Sequence, residues 1–424
     1  MSEKLNSKKI LFLGSTPFIA GMVKTAQHMG LYTIVTDNKP YDKAPAKRIA
    51  DEYADISLAD IDAVVTFIKK KHVDGVLTGF SDSYLQYYLA ICEKAGLPCY
   101  GSTTSFGIAT DKMLFKQTCQ AFGVGTIPGG NVYKYDEAVK MAARLGYPLI
   151  LKPADNSGSR GVIRCESADG LKNAFEYALS FSPSKNVICE KFMTCDGIGI
   201  SYQLINGQAY LSSTCDRYNY IAKADGSSIT GGLTYPSKYT DRYIKEMDEK
   251  VQTMLSHSGF TDGMVSLQSF FDDNGFYMCE MCYRPSGGHH YILIGDQNGL
   301  NSLEFLIEYA VSGTIAEYDS KNETPYFNDL CAMIRIIGKP NEKIALCKGF
   351  DLVGSIDGVI EISQALDAGD KIGKDGTTAQ VLASVWCKAI DMESLRKLKN
   401  KIEDCLKIEN ANSESLIWRI PYFG

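Results

Sequence analysis

Short apolar runs alternate with helical patterns through residues 8–100, and this alternation constrains the fold more than any other feature. The predicted strands and the helices between them are strands 9–14, 32–37, 75–79 and 97–100 and helices 18–29, 61–71 and 83–95. Repeated β-α-β units build a parallel sheet with right-handed crossovers. The first loop, residues 14–21, lacks the G-x-G-x-x-G spacing of dinucleotide-binding domains, so we interpret Asp37 as an ordinary strand-end acid.

The composition is that of a globular protein with two or three domains. The 424 residues carry a net charge of −6, and they contain no run of 18 apolar residues. Nucleic acid binding needs a basic face and a membrane span needs a long apolar run, so we expect neither partner. Thirteen cysteines without a disulfide-like spacing, in a chain that begins without a secretion signal, indicate a reduced, cytoplasmic protein.

The stretch LILKPADNSGSRGV, residues 149–162, has the character of an anion-binding loop between two strands. Lys152 ends the first apolar run, and the following loop contains two glycines, two serines and Arg160. Glycine allows backbone N–H groups to approach an anion, and a nearby lysine adds positive charge. A solvent-facing polar hairpin is the alternative, and this stretch taken alone favours neither interpretation.

The rest of the chain predicts an antiparallel sheet with helices packed on it. Asn206-Gly207 is a two-residue hairpin turn between strands at 200–205 and 208–213. The other predicted elements are strands 149–151, 187–192, 264–271, 276–282 and 332–337 and helices around 109–116 and at 136–145, 241–257, 303–311 and 392–406.

The hairpin of residues 264–282 carries two oxygen ligands that its register would bring together. A three-residue loop, residues 273–275, puts Gly275 at the left-handed position such loops favour, and it pairs Gln268 with Glu280. Cys282 then shares their face, because alternate residues of a strand point the same way. Two neighbouring oxygen ligands can hold a hard cation, whereas a surface Gln–Glu pair is the alternative.

The order of these features resembles the ATP-grasp superfamily, which includes biotin carboxylase, carbamoyl phosphate synthetase, purine-pathway ligases and amino-acid ligases. The resemblance rests on Asp111-Lys112, Lys152, the glycine loop, Glu190-Lys191-Phe192-Met193, Gln268, Glu280 and Arg284. It implies a mixed α/β and α+β protein with a two-lobed ATP-grasp fold. The implied parts are an N-terminal parallel α/β (pre-ATP-grasp) domain at 1–103, a small subdomain at 104–188, a large subdomain at 189–318 and a C-terminal α+β subdomain at 319–424.

The resemblance also implies a role for each matching residue. Lys152 and Arg284 would be catalytic, the arginine by supporting a phosphorylated intermediate. Gln268 and Glu280 would bind Mg²⁺ or Mn²⁺. The residues expected to contact ATP are Lys112, Lys152, Ser157, Gly158, Ser159, Arg160, Gly161, Glu190, Lys191, Phe192, Met193 and Asp196. The acceptor substrate is expected beside Arg284, Gly287, Gly288 and His289, for which a polar loop is the alternative.

Two positions depart from the family pattern. Cys282 stands where many relatives have the asparagine of E-x-N-x-R, and a thiol is a poor ligand for magnesium. The glutamate that relatives often use for the ribose is absent, and Asp196 is the available substitute. Cys279 and Cys282 also form a C-x-x-C pair, but residues three apart on a strand face opposite sides, which disfavours a shared zinc ion.

The implied function is an ATP-dependent carboxylate–amine ligase that forms an acyl phosphate and releases ADP. We expect small-molecule carboxylate and amine substrates, such as amino acids. The oligomeric state is left open, with a homodimer as one option. Two alternatives remain: a bicarbonate- or formate-activating ligase like carbamoyl phosphate synthetase, and a nucleotide-binding protein with a degenerate catalytic site.

Overall fold

The N-terminal part of the computed structural model is a four-stranded parallel sheet with helices between its strands. The structure describes residues 5, 7–155, 160–221, 228–420 and 423. The sheet has the order β3-β2-β1-β4, and its elements are β1 (Lys9–Leu13), α1 (Pro17–His28), β2 (Tyr32–Thr36), β3 (Glu52–Ala54), α2 (Ile61–Lys71), β4 (Gly75–Leu77) and α3 (Leu85–Ala95). The alternation predicted from the sequence is therefore confirmed.

Two details of this sheet were predicted wrongly. Residues 97–100 form no strand, because Tyr100 is instead buried against Phe106 and Tyr283 in an aromatic cluster. The fourth strand is β3, which pairs in parallel with β2 at one edge. Only Glu52, Tyr53 and Ala54 belong to it, and such a short run at a solvated edge lacks the apolar pattern that reveals a buried strand.

Two helices connect this sheet to the next one. They are α4 (Thr103–Thr110) and α5 (Lys112–Ala121). The single helix predicted around residues 109–116 is broken at Asp111, where the backbone is extended. The Asp111 side chain caps α5, because it accepts hydrogen bonds from the N–H groups of Met113 and Leu114.

The second sheet is antiparallel, with the order β5-β8-β6-β7. Its elements are β5 (Gly129–Val132), α6 (Tyr135–Leu145), β6 (Leu149–Pro153), β7 (Ile163–Cys165), α7 (Ala168–Ser180) and β8 (Val187–Lys191). Leu149, Leu151 and Cys189 point to one face and are buried with α6 and α7. Side chains alternate across a sheet, so Lys152 and Glu190 lie on the opposite face, which we call the open face.

An eight-stranded antiparallel sheet forms the rest of the framework, in the order β13-β12-β9-β10-β11-β14-β17-β16. Its strands are β9 (Asp196–Ile205), β10 (Gln208–Ile221), β11 (Ser228–Tyr235), β12 (Gly263–Asp272), β13 (Gly275–Tyr283), β14 (Leu330–Ile337), β16 (Val359–Gln364) and β17 (Val381–Ala389). The remaining strands β15 (Leu346–Lys348) and β18 (Lys407–Glu409) pair separately. Asn206 and Gly207 both have positive φ, as the predicted turn requires.

Helices pack on this large sheet and join it to the N-terminal one. They are α8 (Thr240–Tyr243), a π-helical turn (Ile244–Asp248), α9 (Glu249–His257), α10 (His290–Asn298), α11 (Ser302–Ser312), α12 (Phe350–Gly354) and α13 (Met392–Cys405), with 3₁₀ turns at Tyr41–Lys43, Asp82–Tyr84, Ser320–Asn322 and Thr378–Gln380. The largest buried cluster includes Phe12 of β1 and Val265 of β12, so the N-terminal sheet and the large sheet share one core.

The domain boundaries inferred from the sequence stay a prediction, and one strand and one sheet extend across them. Strand β8 runs through the boundary at 188/189, and the large sheet continues past 318/319 into β14, β16 and β17. None of the described helices has the length and apolar character that a bilayer span requires.

Candidate active site

A buried carboxylate between two lysines forms the centre of the open face. Lys152 Nζ lies 2.7 Å from Glu190 Oε2, and Lys116 Nζ lies 2.7 Å from Glu190 Oε1. Gly129 lies beside Glu190, where a Cβ atom would come within 2.6 Å of the Glu190 Cα, so glycine allows β5 to approach β8. Lys152 and Glu190 were predicted from the sequence, but the structure brings them together with Lys116, which was missed.

The two ammonium groups keep this carboxylate charged. Burial alone would raise the pKa of Glu190, but the positive charges of Lys152 and Lys116 outweigh burial and lower it. Burial would likewise lower the pKa of Lys152, but the carboxylate of Glu190 raises it. The three groups therefore carry two positive charges and one negative charge, which leaves a net charge of about +1 on the open face.

The predicted phosphate loop is only partly described. Ser157, Gly158 and Ser159 lie outside the described residues, whereas Arg160 is exposed beside them. Gly161 has a φ of 78° and packs on Phe181, whose Cβ would lie 2.6 Å from an added Cβ, so only glycine fits there. Before the loop, Asp155 accepts hydrogen bonds of 2.7 Å from the Ser182 hydroxyl and from the Ser184 N–H. Both ends of the loop are thus fixed to the same region after α7.

Lys112 begins α5, one turn before Lys116, and is half-buried. Residues four apart share a helix face, so both lysines project from one side of α5. Lys116 contacts the open face through the carboxylate of Glu190.

Backbone bonds hold the segment after β8 in place. The N–H groups of Lys191 and Phe192 donate to the carbonyls of Pro128 and Pro148 at 2.9 and 3.1 Å. The Lys191 ammonium turns away from the open face and donates to the carbonyls of Leu145 and Tyr147. These two N–H groups are therefore occupied, which leaves other backbone groups of the segment to contact a base.

Phe192 and Met193 supply half-buried apolar surface at the end of this segment. The Arg164 guanidinium of β7 lies 4.1 Å from the centre of the Phe192 ring, a cation–π contact. Asp196, farther on, is bound to the Lys238 ammonium and to the Tyr239 hydroxyl, each at 2.7 Å. Asp196 is exposed, but Lys238 and Tyr239 already bind its carboxylate. A ribose hydroxyl would therefore have to bind this carboxylate alongside them.

Gln268 of β12 pairs directly with Glu280 of β13, as the sequence predicted. The loop was predicted wrongly, because β12 ends at Asp272 and β13 begins at Gly275, which leaves a two-residue turn. A β-bulge between Gln268 and Ser269 then restores the predicted pairing. The bulge adds one residue to β13, which compensates for the shorter turn.

Cys279 is the additional residue of this bulge, since Glu280 pairs with Gln268 and Met278 with Ser269. The Cys279 thiol donates to the Gln268 carbonyl at 3.4 Å. Cys282 lies two residues beyond Glu280 on the same face, and burial raises the pKa of its thiol to about 12. A neutral thiol is a weak ligand for a hard cation. No cluster of three His, Cys, Asp or Glu side chains suited to a metal occurs in the part of the chain that the structure describes.

Gln268 and Glu280 still suit Mg²⁺ when phosphate oxygens complete its coordination. Mg²⁺ is usually bound by one or two protein oxygens together with water and substrate phosphates, so an all-protein cage is not required. Both side chains are half-buried and accessible from the face they share.

Arg284 follows β13 and is held by a residue of the N-terminal domain. Its Nε and Nη2 groups donate to the two carboxylate oxygens of Asp82 at 2.7 and 2.6 Å. The two residues lie 202 positions apart, and Arg284 is 8% exposed. Nothing in the sequence around Asp82 indicated this pairing.

Two further arginines lie on the same face of the large sheet. Glu280 pairs with Gln268, Gln268 with Gly199, and Gly199 with Cys215, so these four residues share one face. Arg217 lies two residues after Cys215 on β10 and therefore lies on that face as well. The pairs Arg217–Leu233 and Leu233–Met333 extend the face to Arg335, two residues beyond Met333 on β14. Both arginines were missed, because this face depends on pairings between strands far apart in the sequence.

The loop after Arg284 is bound by the C-terminal part of the chain. The carbonyl of Gly287 accepts from Arg335, and the carbonyl of Gly288 accepts from the Trp386 indole at 3.1 Å. These two glycines were predicted to border the acceptor, and their N–H groups remain candidates for that role.

His289 is buried among aromatic rings. Phe80 stacks on it at 4.8 Å between ring centres, and Phe18 and Trp386 lie at 4.4 and 5.1 Å. Burial, and then the positive charge of Arg335, lowers its pKa to about 3. His289 is therefore neutral and packs between rings of the N-terminal domain and Trp386 of β17. Its expected place beside the acceptor stays a prediction.

Comparisons with known proteins agree with this architecture. Residues 111–290 match the family model for the carbamoyl-phosphate synthase L chain, ATP binding domain. The formate-dependent phosphoribosylglycinamide formyltransferase of Bacillus subtilis is 25% identical over 284 residues, which cover 66% of this chain and 71% of that enzyme.

Solved structures extend the likeness to nearly the whole chain. An L-amino acid ligase from Bacillus licheniformis matches with a TM-score of 0.78 at 16% identity, covering 96% of this chain and 100% of the ligase. The biotin carboxylase domain of Hydrogenobacter thermophilus 2-oxoglutarate carboxylase, complexed with MgADP and bicarbonate, has a TM-score of 0.76 at 18% identity, with coverages of 95% and 91%. These likenesses establish the fold.

Proposed function

Because this chain belongs to the ATP-grasp superfamily of ATP-dependent ligases, we propose that it phosphorylates a small carboxylate with MgATP and transfers the acyl group to an amine. The observation that carries this proposal is the pairing of Gln268 with Glu280 on a hairpin that Arg284 directly follows. This arrangement supports a site in which two oxygen ligands bind a cation and a guanidinium holds a carboxylate or an acyl phosphate.

We assign the nucleotide to the space between the open face and the hairpin of β12 and β13. Lys152 supplies positive charge for the phosphates, and Phe192 and Met193 supply apolar surface for the base. Glu190 and the backbone of the segment that follows it would contact the edge of the base. Mg²⁺ bound by Gln268 and Glu280 would offset the negative charge of the phosphates.

The reaction that these residues support has two steps. A carboxylate oxygen of the acceptor attacks the γ-phosphorus of ATP, the bond to the β-phosphate oxygen breaks, and ADP leaves. An amine nitrogen then attacks the acyl carbon, phosphate leaves, and the nitrogen loses a proton. Arg284 would hold the acceptor in line through two hydrogen bonds, and this positioning supplies much of the catalysis in phosphoryl transfer.

The choice of substrates has support in two directions. The structural likeness to an L-amino acid ligase favours an amino-acid acceptor. The similar enzyme of Bacillus subtilis is a formate-dependent formyltransferase, which favours formate activation as the second candidate. Arg217 lies on the acceptor face in either case and donates to the neutral hydroxyl of Thr230, which favours an acceptor or an amine that carries negative charge.

Trapping of the acyl phosphate tests this function without knowledge of the amine. The protein is incubated with MgATP, hydroxylamine and, one at a time, the standard amino acids, dicarboxylic acids, formate and bicarbonate, and hydroxamate and ADP are measured. A ligase gives ADP release that depends on one class of carboxylate, together with an equal amount of hydroxamate where the acyl phosphate reacts.

Glu280→Ala provides the control, since the proposal predicts loss of turnover in this variant. A response to formate alone would favour the second candidate. Tight ATP binding without ADP release for any carboxylate would contradict the ligase and would favour a nucleotide-binding role.

A further inference from the structure

The contact between Lys116 and Glu190 has no role in the function proposed above. Lys116 projects from α5, whereas Lys152 comes from β6, and each binds a different oxygen of the Glu190 carboxylate at 2.7 Å. The side chains of Lys116 and Glu190 are 6% and 9% exposed, so solvent screens their interaction only weakly.

A pair formed by Glu190 and a single lysine would carry no net charge with which to attract a phosphate. If Glu190 were bound to Lys152 alone, its negative charge would cancel that of the lysine. Lys116 adds a second positive charge on the far carboxylate oxygen, and the group of three then carries a net charge of about +1. Glu280 also lies close enough to act on Lys152, which increases the need for a compensating cation before Mg²⁺ binds.

We propose that Lys116 is a positioning residue of the nucleotide site, which neutralises Glu190 so that Lys152 keeps its positive charge for the phosphates of ATP. This inference rests on the proposed nucleotide site but not on the ligase reaction. It also explains why a glutamate can stand beside a phosphate-binding lysine: the carboxylate remains anionic for contacts with the base, and Lys116 carries its counter-charge.

A purely structural role for Lys116 is the competing explanation. The contact connects α5 to β8, so its loss could loosen this junction and weaken the binding of all ligands equally. The two explanations differ in how the loss depends on phosphate. Neutralisation of Glu190 affects ligands with phosphates, whereas a loosened junction affects adenosine as much as ATP.

The test compares the affinities of ATP and adenosine, measured by calorimetry with Mg²⁺ present. We define the phosphate ratio as the Kd of adenosine divided by the Kd of ATP. Lys116→Met is expected to lower this ratio about tenfold or more, because the net charge of the group formed by Lys116, Glu190 and Lys152 falls from about +1 to about zero. Lys116→Arg keeps the charge and is expected to keep the ratio within about threefold of the wild-type value.

A second variant tests the charge balance directly. Glu190→Gln combined with Lys116→Met again leaves Lys152 with a net charge of about +1, so the phosphate ratio is expected to recover towards the wild-type value. Adenosine serves as the internal reference for the contacts that Glu190 makes with the base. If Lys116→Met does not fold, Lys116→Gln removes the charge while it can still donate to Glu190, and it should lower the ratio similarly.

An unchanged phosphate ratio in Lys116→Met, with both ligands weakened equally, would overturn the inference. Failure of the double variant to recover the ratio would also overturn it. Failure of the ligase proposal is distinguishable, because it would remove turnover on every carboxylate while the difference in phosphate ratio between wild type and Lys116→Met remained.

Discussion

Arg284 and Asp82 form a bidentate ion pair between the end of β13 and the N-terminal domain. Two N–H groups of the guanidinium each donate to one oxygen of the Asp82 carboxylate, and a substrate carboxylate would bind the guanidinium in the same way. Asp82 thus occupies part of the surface assigned to the acceptor. Because Asp82 is more exposed than Arg284, it is the partner that can move when an acceptor binds.

Arg284→Lys tests the role of this fork. Lysine keeps the charge but cannot make two parallel hydrogen bonds, so we expect kcat/KM for the acceptor to fall about 10- to 100-fold while the Kd of ATP is unchanged. Steady-state kinetics and ATP titration measure the two quantities. Arg419→Lys is the matched control, since Arg419 pairs with Asp404 on the exposed surface. Equal losses for acceptor and ATP would contradict the assignment.

Lys152→Ala tests the phosphate contact. Loss of this ammonium removes a charge-assisted interaction and leaves Glu190 with one counter-ion, so the Kd of ATP is expected to rise about 100-fold. Lys172→Ala is the control, because Lys172 is exposed on α7, which packs on the other face of the same sheet. An ATP affinity that is unchanged in Lys152→Ala would rule out the phosphate assignment.

Cys282→Asn tests whether the thiol weakens the metal site. An amide oxygen on the face shared by Gln268 and Glu280 offers Mg²⁺ a third, hard ligand. We expect the Mg²⁺ concentration for half-maximal turnover to fall about threefold or more. Cys405→Asn, at the end of α13, should leave it unchanged. A higher Mg²⁺ requirement in Cys282→Asn would indicate that this position does not face the metal.

His289 predicts a dependence of stability on pH. Its pKa is about 3 in the folded protein, against an ordinary value near 6.5, so below pH 6.5 the unfolded chain binds a proton that the folded protein does not. Stability is therefore lost as the pH falls, and His289 contributes a loss of about 2 kcal/mol between pH 7 and pH 5.

Urea unfolding at the two pH values measures this contribution. His289→Phe fits an aromatic environment and should reduce the loss of stability on acidification by about 2 kcal/mol. His28→Phe, at the exposed end of α1, should leave the loss as in wild type. The same slope in His289→Phe and in wild type would show that His289 is not held neutral.

Local patterns in the sequence were sufficient for much of the fold and for the hairpin of β12 and β13. The Gln268–Glu280 pairing was predicted correctly although its loop was not, because the shorter turn and the bulge at Cys279 shift the register in opposite directions. Alternation within β12 and β13 thus gave the right face. The bulge itself has no signal in the residues that form it.

Residues brought together by distant segments were not predictable in this way. Lys116 had one usable signal, its position four residues after Lys112 on the same face of α5. Asp82 and Arg335 had none, because their positions depend on how the N-terminal domain packs at the end of β13 and on the pairing of β14 with β11. The candidate site combines strands of two sheets with helix α5 and the turn at Asp82, and the sequence specified these elements better than the contacts between them.

Transfer of ¹⁸O from a labelled acceptor carboxylate to phosphate tests the central claim most directly. The carboxylate that stimulates ADP release is labelled with ¹⁸O, the reaction is run with MgATP and an amine, and the phosphate is analysed by mass spectrometry. Formation of an acyl phosphate predicts one ¹⁸O atom in the phosphate for each turnover, together with ADP. Unlabelled phosphate, or AMP and pyrophosphate as products, would contradict the account.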